Sequence, residues 1–263
     1  MTPVEAHRSG DALRLTIARP AKRNALSRAV IAALAAHLEA YRTDDGLKFL
    51  VLTGAGDRAF SSGGDLDELG AVRTRAEARA MAREYRRSFD ALRGFPVPTI
   101  AALNGDALGG GAELAMACDL RIAAAHARIG FLQGSMAIST AWGGGIDLLN
   151  AVGASRAMRL LAGAEIFGAE AAGQLGLLEA VAPADLPFDE FIEHFCARFR
   201  KRTPRVMRGF KALSAAHRSG ADHATLVKIE AEHLVETWTH ADHWRAVEEN
   251  SGRAGRPRDG RSG

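Results

Sequence analysis

Two glycine-rich segments have residue types and spacing that could bind a developing negative charge. They are Ser61-Ser62-Gly63-Gly64-Asp65-Leu66 and Leu108-Gly109-Gly110-Gly111-Ala112-Glu113, and each lies just before a predicted helix. Backbone N–H groups at a helix N-terminus are free and favour negative charge, and glycine lets a ligand approach them closely. Two such helix ends facing one another would form an oxyanion hole. The spacing alone fits equally well with two tight turns selected for packing.

A third glycine-rich segment resembles a nucleotide-binding loop but lacks its context. Gly54-Ala55-Gly56-Asp57-Arg58-Ala59 follows a predicted strand and formally matches the dinucleotide fingerprint. That fingerprint requires its last glycines to open a helix, so that the helix N-terminus meets the pyrophosphate. The next residues, Phe60-Ser61-Ser62-Gly63-Gly64, cannot start a good helix. We therefore expect an ordinary turn here and no NAD site.

The apolar pattern predicts the elements that must position these segments. Strands are expected over residues 11–18, 47–53 and 98–103. Helices are expected after a Ser27 cap, over 75–93, after the second glycine segment, and, beyond a joint at Pro204, near 205–218 and 222–238. The two C-terminal helices carry an apolar stripe of Val206, Phe210, Leu213, Leu226, Ile229 and Leu234. Alternating strands and helices followed by helices alone predict an α/β core with a helical appendage.

Composition excludes several classes of protein. With 263 residues, 47% hydrophobic and 25% charged, the chain can bury a full core and is not disordered. No apolar window reaches the length of about 18 residues that spans a membrane, and the start lacks the apolar core of a secretory signal. Cys118 and Cys196 are too few for a disulfide framework or metal cage, which fits a reducing cytoplasm.

The charge is nearly balanced except at the end of the chain. A net charge of +3 does not indicate a nucleic-acid binder. Residues 251–263 contain four arginines against one acid, which predicts a basic, flexible and solvated tail. A sharper alternative is that Arg253, nearest the folded body, contacts a phosphate.

Three ordered motifs together resemble the crotonase superfamily, also called the enoyl-CoA hydratase/isomerase family. Residues 19–27 (Arg-Pro-Ala-Lys-Arg-Asn-Ala-Leu-Ser) resemble its first motif, and residues 60–66 its second. Its third motif is similar to residues 101–119, from Ala-Ala-Leu-Asn-Gly through Gly-Gly-Gly-Ala-Glu-Leu to Ala-Cys-Asp. Order and spacing agree as well, and the resemblance covers about residues 10 to 250.

The resemblance implies an α/β, crotonase-like (ClpP/crotonase) spiral of ββα units with a C-terminal helical trimerisation region. The core would span residues 1–203, the helical oligomerisation region 204–250 and the tail 251–263. Many members of the family are hexamers built from two trimers. The implied substrate is a coenzyme A thioester, with no metal and no separate cofactor, and no nucleic-acid or membrane partner is expected.

The resemblance also implies roles for individual residues. The N–H groups of Gly64 and Gly110 would bind the thioester carbonyl. The residues expected to line the coenzyme path or the acyl pocket are Arg23, Ala25, Ser62, Asp65, Leu66, Leu108 and Trp142. Arg253 would reach a phosphate on a neighbouring subunit, although the aromatic residue often found before it is replaced by Asn250.

The catalytic carboxylates depart from the family pattern. Hydratases of this family use two glutamates, because water addition needs groups that gain and lose protons near neutral pH. Glu113 matches the first position, and Gln133 replaces the glutamate at the second. An amide hydrogen-bonds but does not titrate, so Gln133 can hold water or a polar acyl group without serving as acid or base. Asp67 and Asp147 are expected to be solvated or capping residues.

The resemblance therefore leaves three functions open. An enoyl-CoA hydratase-type lyase is favoured by Glu113. An alkylmalonyl-CoA decarboxylase is favoured by Gln133, and residues 131–136 and 142–145 are similar to a subgroup containing ethylmalonyl-CoA decarboxylase. Decarboxylation needs the same oxyanion hole, since loss of CO₂ leaves the same enolate, but only one later proton donor. The third is a non-catalytic acyl-CoA-binding protein.

Overall fold

The computed structural model describes residues 2–254, with side chains described to residue 251. Its strands form a six-stranded sheet in the order β1-β2-β3-β5-β7-β10 and a four-stranded sheet in the order β4-β6-β8-β9. The strands are β1 (Val4–Ser9), β2 (Ala12–Ile17), β3 (Phe49–Gly54), β4 (Ala59–Ser61), β5 (Thr99–Leu103), β6 (Asp106–Leu108), β7 (Leu120–Ala123), β8 (Arg128–Gly130), β9 (Ile166–Gly168) and β10 (Ala180–Val181).

The chain winds between the two sheets as a spiral. β3, β5 and β7 pair in parallel in the larger sheet, and β4, β6 and β8, which follow them in the chain, pair in parallel in the smaller one. Each turn then returns through helices. Among the described residues, antiparallel pairing occurs only at one edge of each sheet, between β1 and β2 in the larger sheet and between β8 and β9 in the smaller one. The predicted spiral of ββα units is confirmed.

The helices follow the sequence pattern closely. They are α1 (Arg28–Tyr41), α2 (Leu66–Leu69), α3 (Arg75–Arg93), α4 (Gly110–Ala117), α5 (Gly144–Val152), α6 (Ala154–Gly163), α7 (Ala169–Gln174), α8 (Phe188–Arg200), α9 (Pro204–Arg218), α10 (His223–Trp238) and α11 (Ala241–Ala254), with single 3-10 turns at Pro20–Lys22 and Gly134–Met136. Ser27 caps α1 by accepting from the N–H of Val30 at 3.3 Å, as predicted. None of these helices, within residues 2–254, is both long and apolar enough to cross a membrane.

Burial explains why the central strands are continuously apolar. Every residue of β3 is buried, because helices cover both faces of the parallel sheet. Leu50 and Leu52 face the main core, whereas Phe49 and Val51 face a smaller core under α8. The segment after β3 is a turn with Gly56 at φ +78° and then strand β4. The segment thus forms a turn that leads into a strand and not into a helix, as expected.

A buried ion network fastens α9 to the core. Lys211 donates to both carboxylate oxygens of Asp119, at 2.7 and 2.6 Å. Arg218, at the end of α9, donates to Asp147 at 2.8 Å and to Asp119 at 3.2 Å. It also donates to the carbonyl of Met116 at 3.0 Å, in the last turn of α4. A positive charge at this end of a helix interacts favourably with the helix dipole. The expectation that Asp147 is solvated or capping is wrong, because Asp147 is buried and pairs with both Arg93 and Arg218.

Candidate active site

The two glycine segments meet in space. A Cβ placed on Gly63 would lie 3.1 Å from the nitrogen of Gly110 and 2.9 Å from the carbonyl oxygen of Leu108. α4 begins at Gly110, after Gly109 turns the chain at φ +53° and ψ −116°, a conformation available essentially to glycine alone. Within residues 2–254, no protein acceptor takes the N–H of Gly64 or of Gly110. Both donors are therefore available to a ligand.

The Trp142 indole packs against both of these glycines. A Cβ on Gly110 would lie 2.1 Å from the indole Cζ3, and one on Gly64 would lie 3.2 Å from Cη2. The ring stacks on Tyr85 with centroids 4.3 Å apart, and its Nε1 donates to Met81 Sδ at 3.4 Å. Trp142 is thus held against α3 and lines the space beside the two free N–H groups. Only glycine at positions 64 and 110 leaves room for its ring.

Glu113 is buried and held by three donors. Its side chain is 2% exposed. Oε2 accepts from the N–H of Trp142 at 3.1 Å and of Gly144 at 3.0 Å, and Oε1 accepts from Gln133 Nε2 at 2.8 Å. Burial raises the pKa of Glu113 above its ordinary value despite these donors. A carboxyl whose pKa moves toward neutrality is suited to exchange protons.

Gln133 has one unused hydrogen-bonding atom. The residue is 8% exposed, and its Oε1 is buried with no partner among the described groups. Its Nε2 is committed to Glu113. A buried acceptor without a partner is uncommon, and this atom could accept from an O–H or N–H group of a water or a substrate.

Backbone hydrogen bonds join the first two motifs, where the coenzyme is expected. The N–H of Ser62 donates to Arg23 O at 3.0 Å, and the N–H of Leu26 donates to Gly63 O at 2.7 Å. Asp65 is buried, and its carboxylate accepts a hydrogen bond from Arg19 at 2.9 Å. This ion pair links the second motif to the first. The predicted coenzyme residues of the two motifs thus form one continuous stretch of structure.

The other predicted residues differ in exposure. Ala25 and Leu108 are buried, whereas Leu66 is 66% exposed at the start of α2. Arg23 adopts a left-handed conformation, with φ 50°, and donates to Asp106 at 3.2 Å. The side chain of Arg253 and residues 255–263 of the predicted basic tail lie outside the described part of the chain.

Several residues around the site carry no signal in the sequence. Tyr85 and Met81 support Trp142 from α3, and Arg93 donates to the Trp142 carbonyl at 3.0 Å. They lie in the helix predicted over 75–93, to which the sequence assigned no part in the site. Within the described residues, no three His, Cys, Asp or Glu side chains are grouped as a metal site would require.

Comparisons with known proteins agree on one family. The enoyl-CoA hydratase/isomerase family model matches residues 8–250. The 2,3-dehydroadipyl-CoA hydratase of Escherichia coli is 34% identical over 212 residues, covering 80% of this chain and 81% of that one. The crystal structure of enoyl-CoA hydratase from Bacillus anthracis superposes with a TM-score of 0.89 at 27% identity, covering 95% and 96% of the two chains. A Thermobifida fusca structure in complex with CoA has a TM-score of 0.80 at 27% identity, covering 90% and 93%.

Proposed function

The chain belongs to the enoyl-CoA hydratase/isomerase family, and we propose that it is a lyase of the enoyl-CoA hydratase type. The observation that carries this proposal is the pair of free N–H groups on Gly64 and Gly110, linked through Trp142 to the buried carboxyl of Glu113. The family places an acyl-CoA thioester in the site. The mechanism that follows uses only protein groups, water and that thioester.

The two N–H groups stabilise an enolate. The thioester carbonyl oxygen accepts from Gly64 and Gly110, and these bonds strengthen as negative charge develops on that oxygen. Gly110 opens α4, an eight-residue helix whose N-terminus adds a favourable dipole. The helix beginning at Leu66 has only four residues and contributes little of this kind. Loss of one such donor typically costs about 3 kcal/mol of transition-state stabilisation.

Glu113 and Gln133 can hold the attacking water together. Each carboxylate oxygen can accept two hydrogen bonds. Oε2 of Glu113 already accepts two, whereas Oε1 accepts one, from Gln133. A water can therefore donate one O–H to Oε1 of Glu113 and the other to the orphan Oε1 of Gln133. This arrangement leaves a lone pair of the water free to attack.

One carboxyl then completes the reaction. Glu113 takes a proton from the water, the water oxygen bonds to the β-carbon, and the alkene electron pair moves through the α-carbon onto the thioester oxygen. The resulting enolate regains its C=O bond as its α-carbon takes the proton from Glu113, so one water adds across one double bond. Gln133 orients the water and exchanges no proton.

The coenzyme portion lies along the first two motifs in this proposal. Ala25, Ser62, Asp65 and Leu66 line its path with main-chain and apolar atoms, and the guanidinium of Arg23 approaches its phosphates. Leu108 and Trp142 enclose the acyl end, and Arg253 reaches a phosphate bound to a neighbouring subunit. The hydrogen bonds between Ser62 and Arg23 and between Leu26 and Gly63 support a single binding edge.

Gln133 favours a second candidate, alkylmalonyl-CoA decarboxylation. Loss of CO₂ generates the same enolate without a water-activating base, and Glu113 alone can protonate the α-carbon. With its amide turned over, Gln133 would accept at Oε1 from the protonated Glu113 and donate from Nε2 to the substrate carboxylate. The relatives reported above are hydratases, so similarity to a decarboxylase subgroup stays a prediction.

A substrate panel separates these functions. Enoyl-CoA and alkylmalonyl-CoA thioesters of increasing chain length are incubated with enzyme in ¹⁸O-labelled water and analysed by mass spectrometry. Incorporation of one labelled water into an enoyl-CoA supports the hydratase, and loss of CO₂ supports the decarboxylase. Binding of acyl-CoA without turnover on any member of the panel identifies the non-catalytic binder and refutes both.

The exposed C-terminal helices support assembly as a trimer or hexamer. Phe210 and Leu234, both in the apolar stripe, are 67% and 57% exposed on the single chain. Such side chains in neighbouring helices are typical of an interface. A monomer in sedimentation at micromolar concentration would refute this. A cytoplasmic location is proposed on the two free cysteines, Cys118 and Cys196, both buried.

A further inference from the structure

Among the described residues, Arg93 at the end of α3 is the only charged side chain besides Glu113 that forms a hydrogen bond with the segment 142–144. We propose that Arg93 is a positioning residue, which holds this segment so that its N–H groups fix the carboxyl of Glu113. The inference rests on the proposed acid–base role of Glu113. It assigns to α3 a part in the reaction that none of the sequence motifs indicates.

The guanidinium of Arg93 is itself locked in place. Its Nε and Nη2 donate to Asp147 Oδ2 at 2.9 and 2.7 Å, and its Nη1 donates to Asp90 at 2.6 Å. Asp147 is buried and is held on its other oxygen by Arg218. Because both sides of the planar fork are used, Arg93 cannot rotate without breaking an ion pair.

The segment lies between Arg93 and Glu113. Trp142 donates its N–H to Glu113 and accepts at its carbonyl from Arg93 Nη2, at 3.0 Å. Gly143 has φ +98°, and a Cβ there would lie 2.5 Å from Arg93 Nη2, so its backbone rests directly on the guanidinium. On the other side, a Cβ on Gly144 would lie 2.4 Å from Glu113 Cγ. Neither Gly143 nor Gly144 therefore leaves room for a side chain between Arg93 and Glu113.

This geometry links the ion pair to the reacting carboxyl. If the guanidinium is lost, the Trp142 carbonyl loses a charged donor and Gly143 loses the surface on which it rests. The N–H groups of Trp142 and Gly144 then no longer hold Oε2 in one position. The Trp142 indole, which lies beside the two free N–H groups, moves with the same backbone. A displacement of about 1 Å at a catalytic group can reduce rate about 100-fold.

The test compares substitutions at two arginines of the same helix. Arg93→Met removes the guanidinium group. Arg93→Lys keeps the positive charge, but an ammonium group lacks the planar geometry that reaches Asp147, Asp90 and the Trp142 carbonyl together. Arg86→Met is the matched control, because Arg86 pairs with the same Asp90 at 3.6 Å and is half exposed, away from the segment. The readouts are kcat and KM on the acyl-CoA identified by the substrate panel, and hydrogen exchange of the Trp142 and Gly144 amides.

We expect Arg93→Met to lower kcat about 10- to 100-fold, with KM changed less than about threefold. Arg93→Lys should lie between Arg93→Met and wild type, and Arg86→Met should match wild type. Amide protection at 142 and 144 should fall in the same order. Wild-type kcat and protection in either folded Arg93 variant would overturn the proposal, as would an equal effect of Arg86→Met. If Arg93→Met does not fold, Arg93→Lys decides by these criteria. If wild type turns over no acyl-CoA, the proposed function fails, and the amide protection alone decides whether Arg93 positions the segment.

Discussion

Replacing Glu113 by glutamine should make the protein more stable while it abolishes most activity. The side chain keeps its shape, and its amide oxygen can still accept from the N–H groups of Trp142 and Gly144. The amide of Gln133 can turn so that its oxygen accepts from the new Nε2. What disappears is a buried negative charge.

The magnitude follows from two opposing contributions. Three hydrogen bonds at position 113 lose a charged partner, which weakens each by about 1 kcal/mol. The desolvation penalty that is removed is roughly 4–5 kcal/mol. The pKa of Glu113 is raised by burial, so desolvation outweighs the donors. We expect a net gain of about 1–2 kcal/mol at pH 7, or about 2–8 °C in melting temperature.

The gain should depend on pH in a defined direction. A carboxyl whose folded pKa is raised contributes stability that is fully present below its unfolded pKa and is lost as pH rises through the folded pKa. The wild-type protein therefore loses stability above the ordinary value of 4.5, and Glu113→Gln does not. The difference between the two melting temperatures should grow as the pH rises above that value and become constant once Glu113 is fully ionised.

Thermal unfolding between pH 4.5 and 8 measures this directly, beside turnover of the acyl-CoA substrate. Turnover should fall about 10²- to 10⁴-fold, the usual contribution of general acid–base catalysis. Glu39→Gln is the control, because this exposed glutamate should change stability by less than about 0.5 kcal/mol. A Glu113→Gln variant that melts at or below the wild-type temperature at pH 7 would refute the buried-charge argument. Retained turnover would refute the catalytic assignment.

The remaining predictions concern the second carboxyl position, the acyl wall and the coenzyme edge. Gln133→Glu should raise the rate of crotonyl-CoA hydration if the site holds water. If the pocket instead holds a substrate carboxylate, the same change should weaken alkylmalonyl-CoA binding, because like charges repel strongly in a poorly solvated pocket. The substrate panel distinguishes these two outcomes. Trp142→Phe should lower stability by about 1–3 kcal/mol and shift kcat/KM toward longer acyl chains, and an unchanged chain-length profile would contradict a wall at this position. Arg23→Ala should raise KM about 3- to 10-fold at constant kcat, as loss of uniform binding does, whereas Arg128→Ala, which breaks a pair with the same Asp106, should leave KM unchanged.

Local patterns predicted most of the fold. α3 ends at Arg93 and begins at Arg75, the limits that its periodicity and the following prolines indicate. The sequence patterns located β2, β3 and β5 but gave no bounds for the other seven strands described, because six of those seven have four residues or fewer. Such short strands form because the adjacent strand supplies hydrogen-bond partners for their backbone, and this pairing depends on the tertiary fold and not on a local sequence pattern.

The site was predictable where it depends on the backbone and not where it depends on packing. Two glycine segments before helices indicated donors, and the structure brings Gly63 and Gly110 into contact. The sequence could not show that Asp147 is neutralised by Arg93 and Arg218, since these residues lie 54 and 71 positions away from it. Ion pairs across such separations follow from the fold and leave no local pattern.

The ion network between α9 and the core has a consequence for synthesis of the protein. Asp119 and Asp147 are made early, whereas Lys211 and Arg218, which neutralise them, leave the ribosome only when most of the chain has been translated. Until then Asp147 can pair only with Arg93, and Asp119 has neither of its cationic partners, so burying Asp119 is strongly unfavourable. α4 also lacks the cation at its C-terminal end during this interval. The helix that carries Gly110 and Glu113 therefore gains its full set of stabilising contacts only after α9 has been made, although it lies in the middle of the sequence.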